Sequence, residues 1–221
     1  MKNMPITLDE LLASRDARHA MQQKLMAEHS GKTLVCLTVV MPGSVKRNLQ
    51  SLTVARAAVE AMRKAFGGKS EERRTKNEDG RVKSEERRVK NTDELMRSDE
   101  LIPETELLTD ELKTNDEGCL IERDLNTGYE AYLITPLPLL EAKRVAVEIE
   151  DTHPLGRLFD IDVIDKQGIP VSRDRVGGQP RRCLVCDHEA RYCMRMRWHT
   201  QEEIWARIRQ MTDDYALKQP T

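Results

Sequence analysis

Leu8, Leu11, Leu12, Ala20 and Leu25 fall at helical spacing and predict a helix over about residues 8–29. Thr7-Leu8-Asp9-Glu10 has the form of a capping box at its start, and Ser30-Gly31 ends it. The β-branched run from Thr33 to Met41 stops at Pro42-Gly43 and predicts a buried strand. Leu52, Ala55, Val59, Met62 and Ala65 then recur at helical spacing, giving a helix over about 48–66. Past the charged stretch that follows, Cys119–Arg123 and Gly128–Thr135 flank Asn126-Thr127-Gly128 and predict a hairpin. Leu139, Leu140, Val145 and Ile149 mark one side of a helix over about 137–149. Leu158–Asp165 predicts a strand, and Ile169–Ser172 a short one after the turn Lys166-Gln167-Gly168. Thr200–Glu203 is a second capping box opening a last helix with Ile204, Trp205, Ile208 and Met211 apolar.

Between the second helix and the hairpin the pattern vanishes. Lys69-Ser-Glu-Glu-Arg-Arg-Thr-Lys-Asn77 recurs as Lys83-Ser-Glu-Glu-Arg-Arg-Val-Lys-Asn91, with one substitution. Such a repeat has almost no apolar positions for a coiled-coil seam or a solenoid face. Residues 69–117 therefore read as a charged, low-complexity insertion unable to bury enough surface to order itself, and 1–68 with 118–221 as one domain. With the insertion removed, the order is strand, helix, strand, strand, helix, strand. The expectation is an α+β fold: a split βαβ, ferredoxin-like sheet with flanking N- and C-terminal helices.

Composition narrows the function classes. Net charge is −2, and there are only two Phe, four Tyr and two Trp. This argues against nucleic acid and against a base-stacking surface. No apolar run approaches a membrane span, and no secretion signal is seen. Five cysteines, three of them late in the chain, fit reduced thiols in a cytoplasm better than a disulfide framework.

The densest chemistry lies in His153-Pro-Leu-Gly-Arg-Leu-Phe-Asp-Ile-Asp-Val163. Asp160 and Asp162 stand two apart on a predicted strand, so both project from one face. Two carboxylates side by side can hold Mg²⁺ while substrate phosphates complete its shell. A half-buried strand with acidic outward residues would look the same. Cys183-x-x-Cys186, Cys193 and His199 have spacing for a structural Zn²⁺ site, with His188 a competing fourth ligand. Reduced cysteines packed as small hydrophobes, or a redox pair, are the alternatives.

These blocks carry a resemblance. With Leu12-x-Ser14-Arg15-Asp16-x-Arg18 and Gln22, Pro42-Gly43-x-x-Lys46, the His153–Val163 segment, and Arg181-Arg182-Cys183-Leu184-x-Cys186 followed by Cys193 and His199, the chain resembles the apo-citrate lyase phosphoribosyl-dephospho-CoA transferases. The blocks are colinear over about 7–66 and 119–210, and the insertion is the departure, with no counterpart for its repeat. The resemblance implies transfer of phosphoribosyl-dephospho-CoA from 2′-(5″-triphosphoribosyl)-3′-dephospho-CoA to a serine of the acyl carrier (gamma) subunit of citrate lyase, with release of pyrophosphate.

Such a reaction needs phosphate clamps and a charge-neutralising metal. Asp160 and Asp162 are expected to hold Mg²⁺, and His153 to take the serine proton. Arg157 is expected on a phosphate, as is Lys46, beside a Gly that permits close backbone approach. Arg15 and Arg18 become candidates for the triphosphate or for an acidic carrier surface, with Arg173 and Arg175 lesser ones. The rival readings are a related nucleotidyltransferase for another carrier, a zinc-dependent nucleic-acid-binding module, and an interaction protein whose repeat is the working part.

Overall fold

In a computed structural model, the structure describes residues 5–67, 113–115 and 118–218. Most of the charged stretch expected as an insertion over 69–117 lies outside the described residues. Within it, Lys113–Asn115 form a short strand that the sequence pattern did not announce.

Five strands make one sheet: β1 (Thr33–Val39), β2 (Lys113–Asn115), β3 (Gly118–Leu125), β4 (Gly128–Thr135) and β5 (Phe159–Ile164), in the order β2-β3-β4-β1-β5. Every pair is antiparallel. Among the described residues five helices accompany it: α1 (Leu8–Glu28), α2 (Leu49–Gly67), α3 (Leu139–Thr152), α4 (Ala190–Met196) and α5 (Gln201–Leu217). The fold is α+β. Among the described residues no helix is long and apolar enough to cross a membrane.

The sheet is covered on both faces, which explains why β1, between β4 and β5, reads as an almost unbroken apolar run. On one face Val35, Leu37, Leu133, Ile161 and Val163 meet α2, α3 and α5 through Val54, Met62, Val145 and Ile208 in the main core. On the other face Leu34, Cys36, Tyr132 and Ile134 meet α1 in a smaller cluster around Leu25. The two covers differ in kind. Helix α2 buries eight residues, whereas α1 buries only Leu25 and leaves Leu8 and Leu12 exposed. What holds the start of α1 is polar: the capping box on Thr7 and Glu10, the Ile6 N–H donated to Ser44 O, and the Ser14 and Thr127 hydroxyls 2.9 Å apart.

Strand β5 is an edge, and edges need their free backbone groups satisfied. Buried side chains of α3 do this work. Glu150 accepts from the Ile161 N–H at 2.8 Å, and Lys143 donates to Ile161 O at 3.3 Å. They lie seven residues apart, on one face of the helix. The expected strand Ile169–Ser172 reduces to one isolated bridge between Ile164 and Pro170, because proline has no N–H to continue a ladder. A turn of 3₁₀ helix, Gly156–Leu158, leads into β5. There a Cβ on Gly156 would stand 2.4 Å from Glu150 O, so only glycine fits against the end of α3. Helix α4 is too short for its apolar period to have been visible.

Candidate active site

Alternation along β5 sorts its side chains cleanly. Phe159, Ile161 and Val163 enter the main core, so Asp160 and Asp162 project from the opposite face, the one α1 covers. Pairing with β1 and β4 then sets two rows across that face. One row reads Asp160, Thr38, Glu130, Arg123; the next reads Asp162, Cys36, Tyr132, Ile121. Helix α1 lies over them. Arg18 Nε donates to Glu130 Oε1 at 2.9 Å, and Gln22 approaches the Cys36 sulfur at 3.5 Å.

The acid pair is unevenly compensated. Arg181 reaches Asp160 at 3.3 Å, and Thr38 Oγ1 lies 3.5 Å from its other oxygen. Asp162 is more deeply placed. Its pKa is raised by burial and then by the Asp160 charge, against the smaller pull of Lys143, Arg181 and Arg18. A hard dication fits two such oxygens, relieving both the burial and the repulsion. Burial pushes the Cys36 thiol up to about 12, and Cys36 packs in the smaller cluster.

Arg181 belongs as much to the β5 edge as to the site. Besides Asp160 it donates to the carbonyls of Gly156 and Phe159. Arg173 pairs with Asp151 at 2.7 Å and Glu150 at 3.2 Å on the same edge. Arg157, half-buried, joins them with its Nε buried and without a partner among the described residues, and its pKa is lowered by burial and by Arg181 and Arg173. That is an environment short of an anion.

Of the residues expected at the site, Asp160, Asp162 and Arg18 come together on the α1 face, with Arg15 exposed one helical turn away. Lys46 donates to Met41 O within its own loop and sits against the turn between β3 and β4. Arg157 and Arg173 stand at the β5 edge, and Arg175 is exposed beyond it. His153 is the residue the structure does not bring in. It caps α3 on the other side of the sheet, its ring 4.8 Å from that of Phe159 and 5.4 Å from that of Tyr215. Its Nδ1 accepts from the Leu155 N–H, and burial lowers its pKa. The proximity in sequence misled, because α3 ends on the face away from the acids.

Sequence reasoning missed Glu130, only 2% exposed, which Arg18, Arg123 at 3.6 Å and the Tyr132 hydroxyl at 2.7 Å all contact. A charged residue inside the apolar strand Glu130-Ala-Tyr-Leu-Ile-Thr135 was the available signal. A hollow of about 340 Å³ between α2 and α5, lined by Val45, Asn48, Gln50, Trp205 and Arg209, has no carboxylate in its wall among the described residues and lies apart from this chemistry.

The late cysteines lie close together. Cys183, Cys186, Cys193 and His199 bring four ligand atoms within 4.8 Å of one another.

The family model for apo-citrate lyase phosphoribosyl-dephospho-CoA transferase matches residues 6–84 and 88–215. The chain belongs to this family. A Vibrio cholerae serotype O1 protein described as a probable apo-citrate lyase phosphoribosyl-dephospho-CoA transferase is 31% identical over 217 residues, covering 97% of this chain and 96% of the relative. A Streptococcus pyogenes serotype M1 protein of the same description is 27% identical, over 96% of this chain and 88% of its own length. The Haemophilus influenzae protein CitXG is 29% identical over 95% of this chain, which spans only 36% of that longer protein. The family match bears on one part of the reading of 69–117, its departure from the family. Most of that stretch falls inside the matched length and is not a departure from the family.

Proposed function

We propose that this chain transfers the phosphoribosyl-dephospho-CoA group from 2′-(5″-triphosphoribosyl)-3′-dephospho-CoA to a serine of the acyl carrier subunit of citrate lyase, with release of pyrophosphate. The observation that carries this reading is the family match along nearly the whole chain, joined to an acid pair with arginines on either side of it.

In this reading the serine oxygen attacks the phosphorus next to the ribose, in line with departing pyrophosphate. The reaction asks mainly for positioning and for charge at the non-bridging and leaving oxygens. Asp160 and Asp162 are the residues to hold Mg²⁺, which when bound supplies charge neutralisation at those oxygens. Arg181 stands beside Asp160, where it can orient the carboxylate and meet a phosphate oxygen. Arg157, with a nitrogen that has no partner among the described residues, is the natural receptor for a second phosphate at the β5 edge. Arg15 and Arg18 serve the outer end of the triphosphate from above, and Lys46 adds charge at the rim of the same face. Arg173 acts by holding Glu150 and Asp151, and Arg175 is left as a surface contact.

We also read the sheet as a split βαβ of the ferredoxin-like kind. Its support is that α2 follows β1, α3 joins β4 to β5, and these strands lie in the order β3-β4-β1-β5. A cytoplasmic setting agrees with free thiols at Cys36, Cys183, Cys186 and Cys193.

The test is incubation with apo-carrier subunit, the triphosphoribosyl donor and Mg²⁺. The intact mass of the carrier should rise by the prosthetic group, and a carrier with its acceptor serine changed to alanine should stay unmodified. Asp160→Asn and Asp162→Asn should each fold and lose transfer. An unmodified carrier under all conditions would sink the activity, and full turnover by both variants would sink the metal assignment.

A further inference from the structure

The segment between β5 and the last helix has little apolar surface of its own. From Arg173 to Thr200 only Cys193 is buried, while Tyr192, Met194, Met196 and Trp198 are exposed. Yet its backbone is firmly organised. Cys183 N donates to His188 O at 2.7 Å, Ala190 N to Arg181 O at 2.8 Å, and Arg182 and Glu189 form a bridge. Leu184 packs against the main core, but burial this small does not by itself offset the cost of ordering the chain.

The geometry points to a structural Zn²⁺ ion held by Cys183, Cys186, Cys193 and His199. Tetrahedral zinc, with bonds of about 2.3 Å to sulfur and about 2.0 Å to nitrogen, sets its ligand atoms roughly 3.3–3.8 Å apart. Here Cys186 Sγ lies 3.5 Å from Cys193 Sγ and 3.2 Å from His199 Nε2. These contacts are too long for a disulfide and close to the edges of such a tetrahedron. Two further observations fit a metal site. The His199 side chain is only 11% exposed, with its other nitrogen, Nδ1, 3.9 Å from a Glu203 carboxylate oxygen. Zinc-bound histidines are commonly oriented from behind by such a group. Finally, Arg197 takes a left-handed conformation (φ 47°), alone among the described non-glycine residues, and thereby turns the chain so that His199 faces the sulfurs.

His188, the rival fourth ligand, is exposed and stacks on Tyr192 at 5.6 Å. Its Nδ1 lies 3.4 Å from Cys186 Sγ, but it is not one of the four mutually close ligand atoms. Four protein ligands leave zinc no open position, so the site is structural and not catalytic. It closes the hairpin whose first strand carries Arg181 to the acid pair.

The experiment uses the full chain purified without chelator, and needs neither donor nor carrier, so it stands apart from the transfer assay. Elemental analysis should find one zinc per chain. Exchange for Co²⁺ should give the visible bands of tetrahedral cobalt with thiolate charge transfer in the near ultraviolet. His199→Ala and Cys186→Ser should drop the metal content to near zero and lower the melting temperature. His199→Cys, which restores a fourth soft ligand, should keep the ion. Three results would overturn the inference: a normally melting protein with no metal, full zinc retention by His199→Ala, or a Cys186–Cys193 disulfide in protein kept free of reductant.

Discussion

At Asp162 the pKa is raised by burial and by Asp160, and the sign of the consequence is definite. The folded state binds this proton more tightly than the unfolded chain does. Stability therefore falls as pH rises through the interval between the ordinary aspartate value of 3.8 and the raised native one. Asp162→Asn removes that cost. Without metal, the variant should melt higher than the parent at neutral pH, and the two curves should converge below that interval. Its transfer assayed with Mg²⁺ should nonetheless fall by roughly 10²-fold or more, the scale of losing one electrostatic stabiliser of a transition state. Substitution of Glu130 should act the other way on stability. Its carboxylate is buried between Arg18 and Arg123, and removing one partner of a buried ion pair strands the rest. Glu130→Gln should cost about 3 kcal/mol in urea denaturation. The Asp-x-Asp pair was legible because a period of two is fixed by strand geometry. Glu130 was not, because its partners lie on α1 and β3, and sequence shows no cross-strand row.

The elements themselves were mostly visible, since each long one carries its own period and its own punctuation. Both capping boxes form as the sequence spelled them. The elements that escaped are short or depend on partners. Helix α4 has seven residues, and β2 has three and exists by pairing with β3. Ile169–Ser172 looked like a strand but contains the proline that stops it. The joint between α3 and β5 is decided by contacts from six residues back. At Gly156 a Cβ would meet Glu150 O at 2.4 Å and Ile149 O at 2.8 Å, both backbone atoms that cannot swing aside. Gly156→Ala should cost about 3 kcal/mol or more, read as a lower denaturation midpoint, because β5 must shift to make room.

Across the whole molecule the two sides of the sheet are unequal. One side is a core of α2, α3 and α5; the other is α1, held by a few polar ties and one buried leucine. Local stability follows buried contacts, so backbone amides over residues 8–18 should exchange with solvent well before those of α2 around Val54–Met62. Uniform protection of the two helices would refute this. The family was legible from blocks of residues scattered along the chain, because each block carries chemistry. The stretch 69–117 read as a departure from the family and yet falls largely inside the matched length, because low complexity describes composition and not membership. Strand β5 ties these scales together: its odd-numbered residues belong to the core, and two of its even-numbered ones to the acid pair. A saturating mutational scan of 159–164 would return two interleaved signals. At Phe159, Ile161 and Val163 loss of turnover should track loss of soluble protein, whereas at Asp160 and Asp162 turnover should vanish while abundance holds.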